Sequence, residues 1–164
     1  MLVRAVDDAG QVPVWTLPEE PVLVAPTLRD LMRALDGELR VGDDAMLDRD
    51  VLWYLISAMS MENVLNRVVD GAAVVVPGDR SEVLLALHVA QLSETFPRIS
   101  GILMNGGFEM SPLIERMISG LQIDLPIISV PYGSFETARR ITRTRGRLAT
   151  ATPEKLQKAL DHFH

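Results

Sequence analysis

The chain has 164 residues, 48% of them hydrophobic, with a formal charge of −6 and no cysteine. A chain of this length buries roughly 68–70% of the surface its unfolded form exposes, so its core needs no staple. Disulfides, thiolate zinc sites and a cysteine nucleophile are excluded, which suits a reducing cytoplasm. The negative balance argues against nucleic acid and anionic membranes as partners, and no apolar run approaches the ~20 residues of a membrane span.

Residues 1 to 26 are the least regular part, with Pro13, Pro18, Pro21 and Pro26 interrupting short apolar pairs. Proline cannot donate to a ladder, so this segment reads as a strand fragment at Val22-Leu23-Val24 within a linker, or the end of a preceding domain. The acids Asp7 and Asp8 fall where a signal peptide needs apolar residues. Thr27 caps a helix from Leu28 to Leu35, stopped by Gly37, and Leu39-Arg40-Val41 is a short strand. Val51 to Met59 reads as a strand, and Ser60 opens a helix carrying Val64, Leu65, Val68 and Val69.

Three strand-helix junctions follow. Ala72 to Val76 runs into Pro77-Gly78-Asp79-Arg80-Ser81, Gly101 to Met104 into Asn105-Gly106-Gly107, and Leu125 to Val130 into Pro131-Tyr132-Gly133-Ser134. Apolar residues at successive positions mark parallel strands buried on both faces. The helix from Ser81 to Phe96 is apolar on more than one face, which predicts cover besides its own sheet. A helix from Pro112 to about Ser119 turns Leu113, Ile114, Met117 and Ile118 inward, and Ser134 with Glu136 opens another. A short strand at 147–149 and a helix opening at Thr152-Pro153-Glu154 close the chain. The pattern predicts an α/β fold: a three-layer α/β/α domain over 27–164 with a mostly parallel sheet of about five strands. All three junctions then share one sheet edge, where such folds bind ligands.

Chemistry is sparse. No lysine follows a glycine loop, since Lys155 and Lys158 both lie near the end of the chain, and no G-x-S-x-G elbow occurs. His88 sits mid-helix, while His162 and His164 sit at the terminus, so no catalytic residue is assigned. The acids Asp43, Asp44, Asp48 and Asp50 lack the order of a calcium loop, and no metal or cofactor is expected. The candidate ligand or interface residues are Gly78, Asp79, Arg80, Ser81, Asn105, Gly106, Gly107, Tyr132, Gly133, Ser134 and Thr137. Asp79 can cap the following helix, and Gly106 and Gly107 let backbone amides approach a ligand closely. The competing reading is turn and cap chemistry that any such sheet needs. Likewise Arg139, Arg140, Arg143, Arg145 and Arg147 either grip an anion or pair with nearby acids.

The run Pro77-Gly78-Asp79-Arg80-Ser81, then Met104-Asn105-Gly106-Gly107-Phe108, then Val130-Pro131-Tyr132-Gly133-Ser134-Phe135-Glu136-Thr137 resembles the DRTGG domain, with Asn105 in place of the usual threonine. Leu17-Pro18-Glu19-Glu20-Pro21 and Thr144-Arg145-Gly146-Arg147 are similar to segments of the long bacterial phosphate acetyltransferase. There this domain lies between a dethiobiotin-synthetase-like domain and the catalytic acyltransferase domain. The resemblance implies a non-catalytic regulatory or oligomerisation module, a homodimer, joined to a catalytic domain absent here. The alternative is a small-molecule binder acting alone, with a nucleotide, CoA or another small anionic metabolite over the loop edge and Arg80 on its phosphate.

Overall fold

The computed structural model describes residues 25–144 and two short strands, β1 (Val3–Ala5) and β2 (Val14–Thr16), which pair antiparallel as a sheet of their own. The segment at 22–24, the strand expected at 147–149, the helix at 152 and the residues Arg145 and Arg147 lie outside the described residues.

Within 25–144 the order is α1 (Leu28–Ala34), β3 (Glu38–Val41), a 3-10 turn (Asp44–Asp48), β4 (Trp53–Ile56), α2 (Met61–Leu65) and β5 (Ala72–Pro77). It continues with α3 (Ser81–Ala90), β6 (Gly101–Asn105), α4 (Pro112–Leu121), β7 (Ile127–Ser129) and α5 (Ser134–Ile141). Five strands form one sheet in the order β3-β7-β6-β5-β4. Four are parallel; β3 runs antiparallel to β7 and carries a register shift between Leu39 and Val41.

Alternation along the central strands divides the core. Ala72, Val74, Val76, Ile102, Met104 and Ile127 pack on one face with Val64 of α2, Val83, Leu84 and Leu87 of α3, and Ile118 of α4. Ala73, Val75, Leu103 and Ile128 pack on the other with Leu28 and Leu31 of α1 and Ile141 of α5. Side chains of period two on strands sandwiched between helices give the three layers.

Local chemistry sets the element ends. Thr27 and Asp30 form a reciprocal capping box on α1, as Thr27 accepts from Asp30 N–H and Asp30 accepts from Thr27 N–H. Ser60 caps α2. The acids at 43–48 form a capped 3-10 turn whose Asp44 and Asp48 each take an Arg29 hydrogen bond at 2.8 Å.

Two expectations change. α3 ends at Ala90, short of the expected Phe96, while the cover expected for its second apolar face is supplied by α2 and α4, which flank it, with Val89 left 53% exposed. On α4 only Ile114 and Ile118 turn inward; Leu113 and Met117 are 55% and 48% exposed. As the outermost helix of its layer, α4 rests one narrow stripe on the core.

Candidate functional site

The parallel register sets Pro77 beside Asn105 and Met104 beside Ser129, so all three junctions open on the carboxyl edge of the sheet. After β6 the chain leaves toward the α2–α4 face, and after β7 toward the α1–α5 face. A crevice at such a divergence is the usual ligand site of an α/β sheet. Here it is laced shut. Gly106 N–H donates to Tyr132 O at 2.7 Å, Gly107 N–H to Val130 O at 3.1 Å, and Gly78 N–H to Asn105 O at 2.9 Å. The amides expected to meet a ligand therefore join the loops to one another.

Asn105, 1% exposed, is the centre of this lacing. In the amide orientation that satisfies its surroundings, Oδ1 accepts from Ser134 N–H at 2.9 Å and from Ser134 Oγ at 3.1 Å, and Nδ2 donates to Val76 O at 3.1 Å. One side chain thus links β5 and β6 to the first turn of α5. It satisfies an N-terminal amide that an anion would otherwise seek.

The glycines admit a side chain of this same chain. A Cβ on Gly78 would lie 2.7 Å from Phe108 Cβ, and one on Gly106, at φ +97°, would lie 2.6 Å from Phe108 Cε2. Phe108 therefore covers both turns, and the residue remains 46% exposed. Gly133, by contrast, faces open space and sits at the N-cap of α5, one residue before the expected opening at Ser134.

Arg80 occupies the N-cap of α3 without a side-chain cap, while Asp79 is exposed beside it, so the capping expected of Asp79 is not made. The guanidinium reaches back to the β4–α2 loop, donating to Met59 O at 3.1 Å and Ser57 O at 3.5 Å, and to Glu82 at 2.6 Å. Glu82 is held below the ordinary carboxylate range, first by Arg80. Ser81, half-buried, is the first residue of α3.

A second cluster ties α5 to the end of α1. Tyr132 donates to Asp36; Arg140 lies 3.9 Å above the Tyr132 ring and donates to Ala34 O, Asp36 and Glu136. Glu136 also accepts from Arg139, and the two arginines draw its carboxyl down to about 2. Thr137 is buried and donates to Tyr132 O at 3.3 Å. Arg139 and Arg140 thus pair with acids of their own surface. Asp36 is the member the sequence did not single out, because its partners Tyr132 and Arg140 lie about a hundred residues away; Arg140 takes the acid-pairing option of the two its sequence allowed.

With the edge so described, comparison with known proteins is decisive: the DRTGG domain family matches residues 30–144. The chain belongs to the DRTGG family. Phosphate acetyltransferase of Nitratidesulfovibrio vulgaris is 34% identical over 151 residues, taking in 92% of this chain and 21% of that protein. The Deinococcus radiodurans phosphate acetyltransferase is 30% identical over 88% of this chain and 20% of its own length. The DRTGG chain thus spans about a fifth of these relatives. Among solved structures, one comprises the CBS and DRTGG domains of the regulatory region of Clostridium perfringens pyrophosphatase, complexed with the activator diadenosine tetraphosphate. It superposes with a TM-score of 0.58 at 17% identity, over 82% of this chain and 55% of that one, a likeness of fold.

In this DRTGG domain Arg80 and the Gly106-Gly107 amides are loop clasps, while Asp79 is exposed beside them. Among the described residues no group of three or more His, Asp or Glu side chains is placed to hold a metal, and no helix is long and apolar enough to cross a membrane.

Proposed function

We propose that this chain is a non-catalytic regulatory and self-associating domain of a larger phosphate acetyltransferase. Acetyl transfer between CoA and phosphate would be performed by an acyltransferase domain outside it. Residues 27–164 form the DRTGG-like unit in this reading, and 1–26 a linker or the end of a preceding domain. The observation that carries it is the edge itself: its polar groups bond to one another, while Phe108 and Phe135, the latter 84% exposed, stay open to a partner surface. A surface with satisfied polar groups and exposed aromatics suits packing better than anion capture. The fractional coverage of the acetyltransferases supports a part of an enzyme rather than a whole one.

The test is to assay purified chain for acetyl phosphate formation and measure its mass in solution. A dimer without transferase activity is expected; acetyl phosphate made by the pure chain would reject the reading. A second reading, sensing of a small anionic metabolite, is favoured by the activator bound in the pyrophosphatase regulatory region. Thermal shift with ATP, AMP, NADH, pyruvate, CoA and acetyl phosphate tests it. Ligand at 100 times its dissociation constant adds about 2.7 kcal/mol; no shift with any of the six would reject it.

A further inference from the structure

Resting on the self-association reading, but placing the second copy on the lateral edge of the sheet and leaving the loop edge with Phe108 and Phe135 to another surface, we propose that two copies of this chain pair edge to edge through β4, antiparallel, with Tyr54 of each copy opposite Tyr54 of the other. The two ends of the sheet differ. At one end, β3 carries Glu38 and Arg40, Arg40 pairing with both Glu38 and Glu109, and the strand is broken by a register shift. Charges and bulges are how sheets blunt an edge against pairing. At the other end, β4 has β5 as its sole sheet neighbour among the described residues, in unbroken register from Trp53 to Ile56. The run Val51-Leu52-Trp53-Tyr54-Leu55-Ile56 has no charge and no proline. Trp53 is 60% exposed, and Leu52, Tyr54 and Ile56 are exposed as well. A chain of net charge −6 can approach its copy there without opposing like charges.

The backbone selects the register. Ser57 N–H donates to Val75 O, so by strand alternation Trp53, Leu55 and Ser57 direct their amides at β5, and Tyr54 directs its own outward. Near the ends of the strand, Leu52 N–H already donates to Gly71 O, and Ile56 O already accepts from Ala58 N–H. In a two-fold pair centred on Tyr54, the two Tyr54 residues exchange both of their hydrogen bonds. The occupied groups, Leu52 N–H and Ile56 O of the second copy, then face each other and need nothing. Centring on Leu55 would aim Tyr54 N–H at the occupied Ile56 carbonyl. The same pairing sets Trp53 against Leu55 and Leu52 against Ile56.

The chain has no cysteine, so single substitutions report the register cleanly. Directly opposed hydrogen-bonded residues have Cα atoms about 5.5 Å apart, within disulfide range, whereas two Trp53 residues would be offset beyond about 7 Å. Full-length Tyr54→Cys, oxidised, is expected to run as a covalent dimer on a non-reducing gel, while Trp53→Cys stays monomeric. Tyr54→Lys is expected to halve the sedimentation mass with an unchanged circular dichroism spectrum. Stronger cross-linking of Trp53→Cys would overturn the register. A wild-type dimer that neither cross-links through Tyr54→Cys nor dissociates with Tyr54→Lys would overturn this surface and leave the self-association reading standing. A wild-type monomer would end both.

Discussion

Replacing Arg80 with alanine separates a clasp from a ligand contact. The guanidinium gives Met59 O a 3.1 Å bond and Ser57 O a weaker one at 3.5 Å, joining the β5–α3 turn to the β4–α2 loop. A hydrogen bond from a charged donor contributes about 1.5–3 kcal/mol. Arg80 is 31% exposed, so water recovers part of that, and the ion pair with the more exposed Glu82 adds little. The expected loss is therefore about 1–3 kcal/mol, a fall in Tm of roughly 2–12 °C for a chain of this size. Arg80→Lys should recover part of it, since an ammonium reaches one carbonyl but not the fork of two. Urea unfolding followed by tryptophan fluorescence is the assay, and Trp53 on β4 lies close to the loop in question. An apo stability within 0.5 kcal/mol of wild type, about the scatter of neutral surface changes, would refute the clasp. If the same variant also lost a ligand-induced shift, Arg80 would be a phosphate contact instead.

Gly106→Ala should destabilise by about 1–3 kcal/mol, because the backbone is left-handed and the new methyl strikes Phe108; Gly133→Ser, with open space at an N-cap, should gain about 0.5 kcal/mol. Equal effects in thermal melts would show that Phe108 does not cover the turn at Gly106. Asn105→Leu should cost about 2–4 kcal/mol by leaving Ser134 N–H and Val76 O unsatisfied, and Asn105→Thr, the residue usual in the family motif, should cost less. The reverse order in urea midpoints would contradict the lacing. His88 is fully buried, with Nδ1 2.8 Å from Leu84 O, and burial pushes its pKa down against the opposing pull of backbone carbonyls. The unfolded chain takes up that proton near pH 6.5 while the folded chain does not, so stability should fall as pH drops below about 6.5. His88→Gln should flatten the urea midpoint between about pH 7.5 and 5.5; an unchanged slope would place the titrating group elsewhere.

The layers and the shared edge were legible in the sequence because they follow from apolar runs and turn residues, which act locally. Val74-Val75-Val76 and Ile102-Leu103-Met104 could be buried only on both faces, and the breaks after them had to be junctions. The use of that edge was not legible. Glycines at 78 and 106 look alike whether they admit a ligand or Phe108, and Asn105 looks like a turn residue until α5 is folded back over it. The same gap hid the Tyr132–Asp36–Arg140 cluster, in which Asp36 is about a hundred residues from the other two. Leu113 and Met117 misled for a related reason: helical periodicity shows that an apolar stripe exists, not how wide a surface is waiting to cover it.

Sedimentation equilibrium of the full chain over a wide concentration range tests self-association without any substitution. A reversible species of twice the 18.1 kDa chain mass is expected, giving way to the single chain on dilution. One species at the chain mass, even at high micromolar concentration, would contradict it.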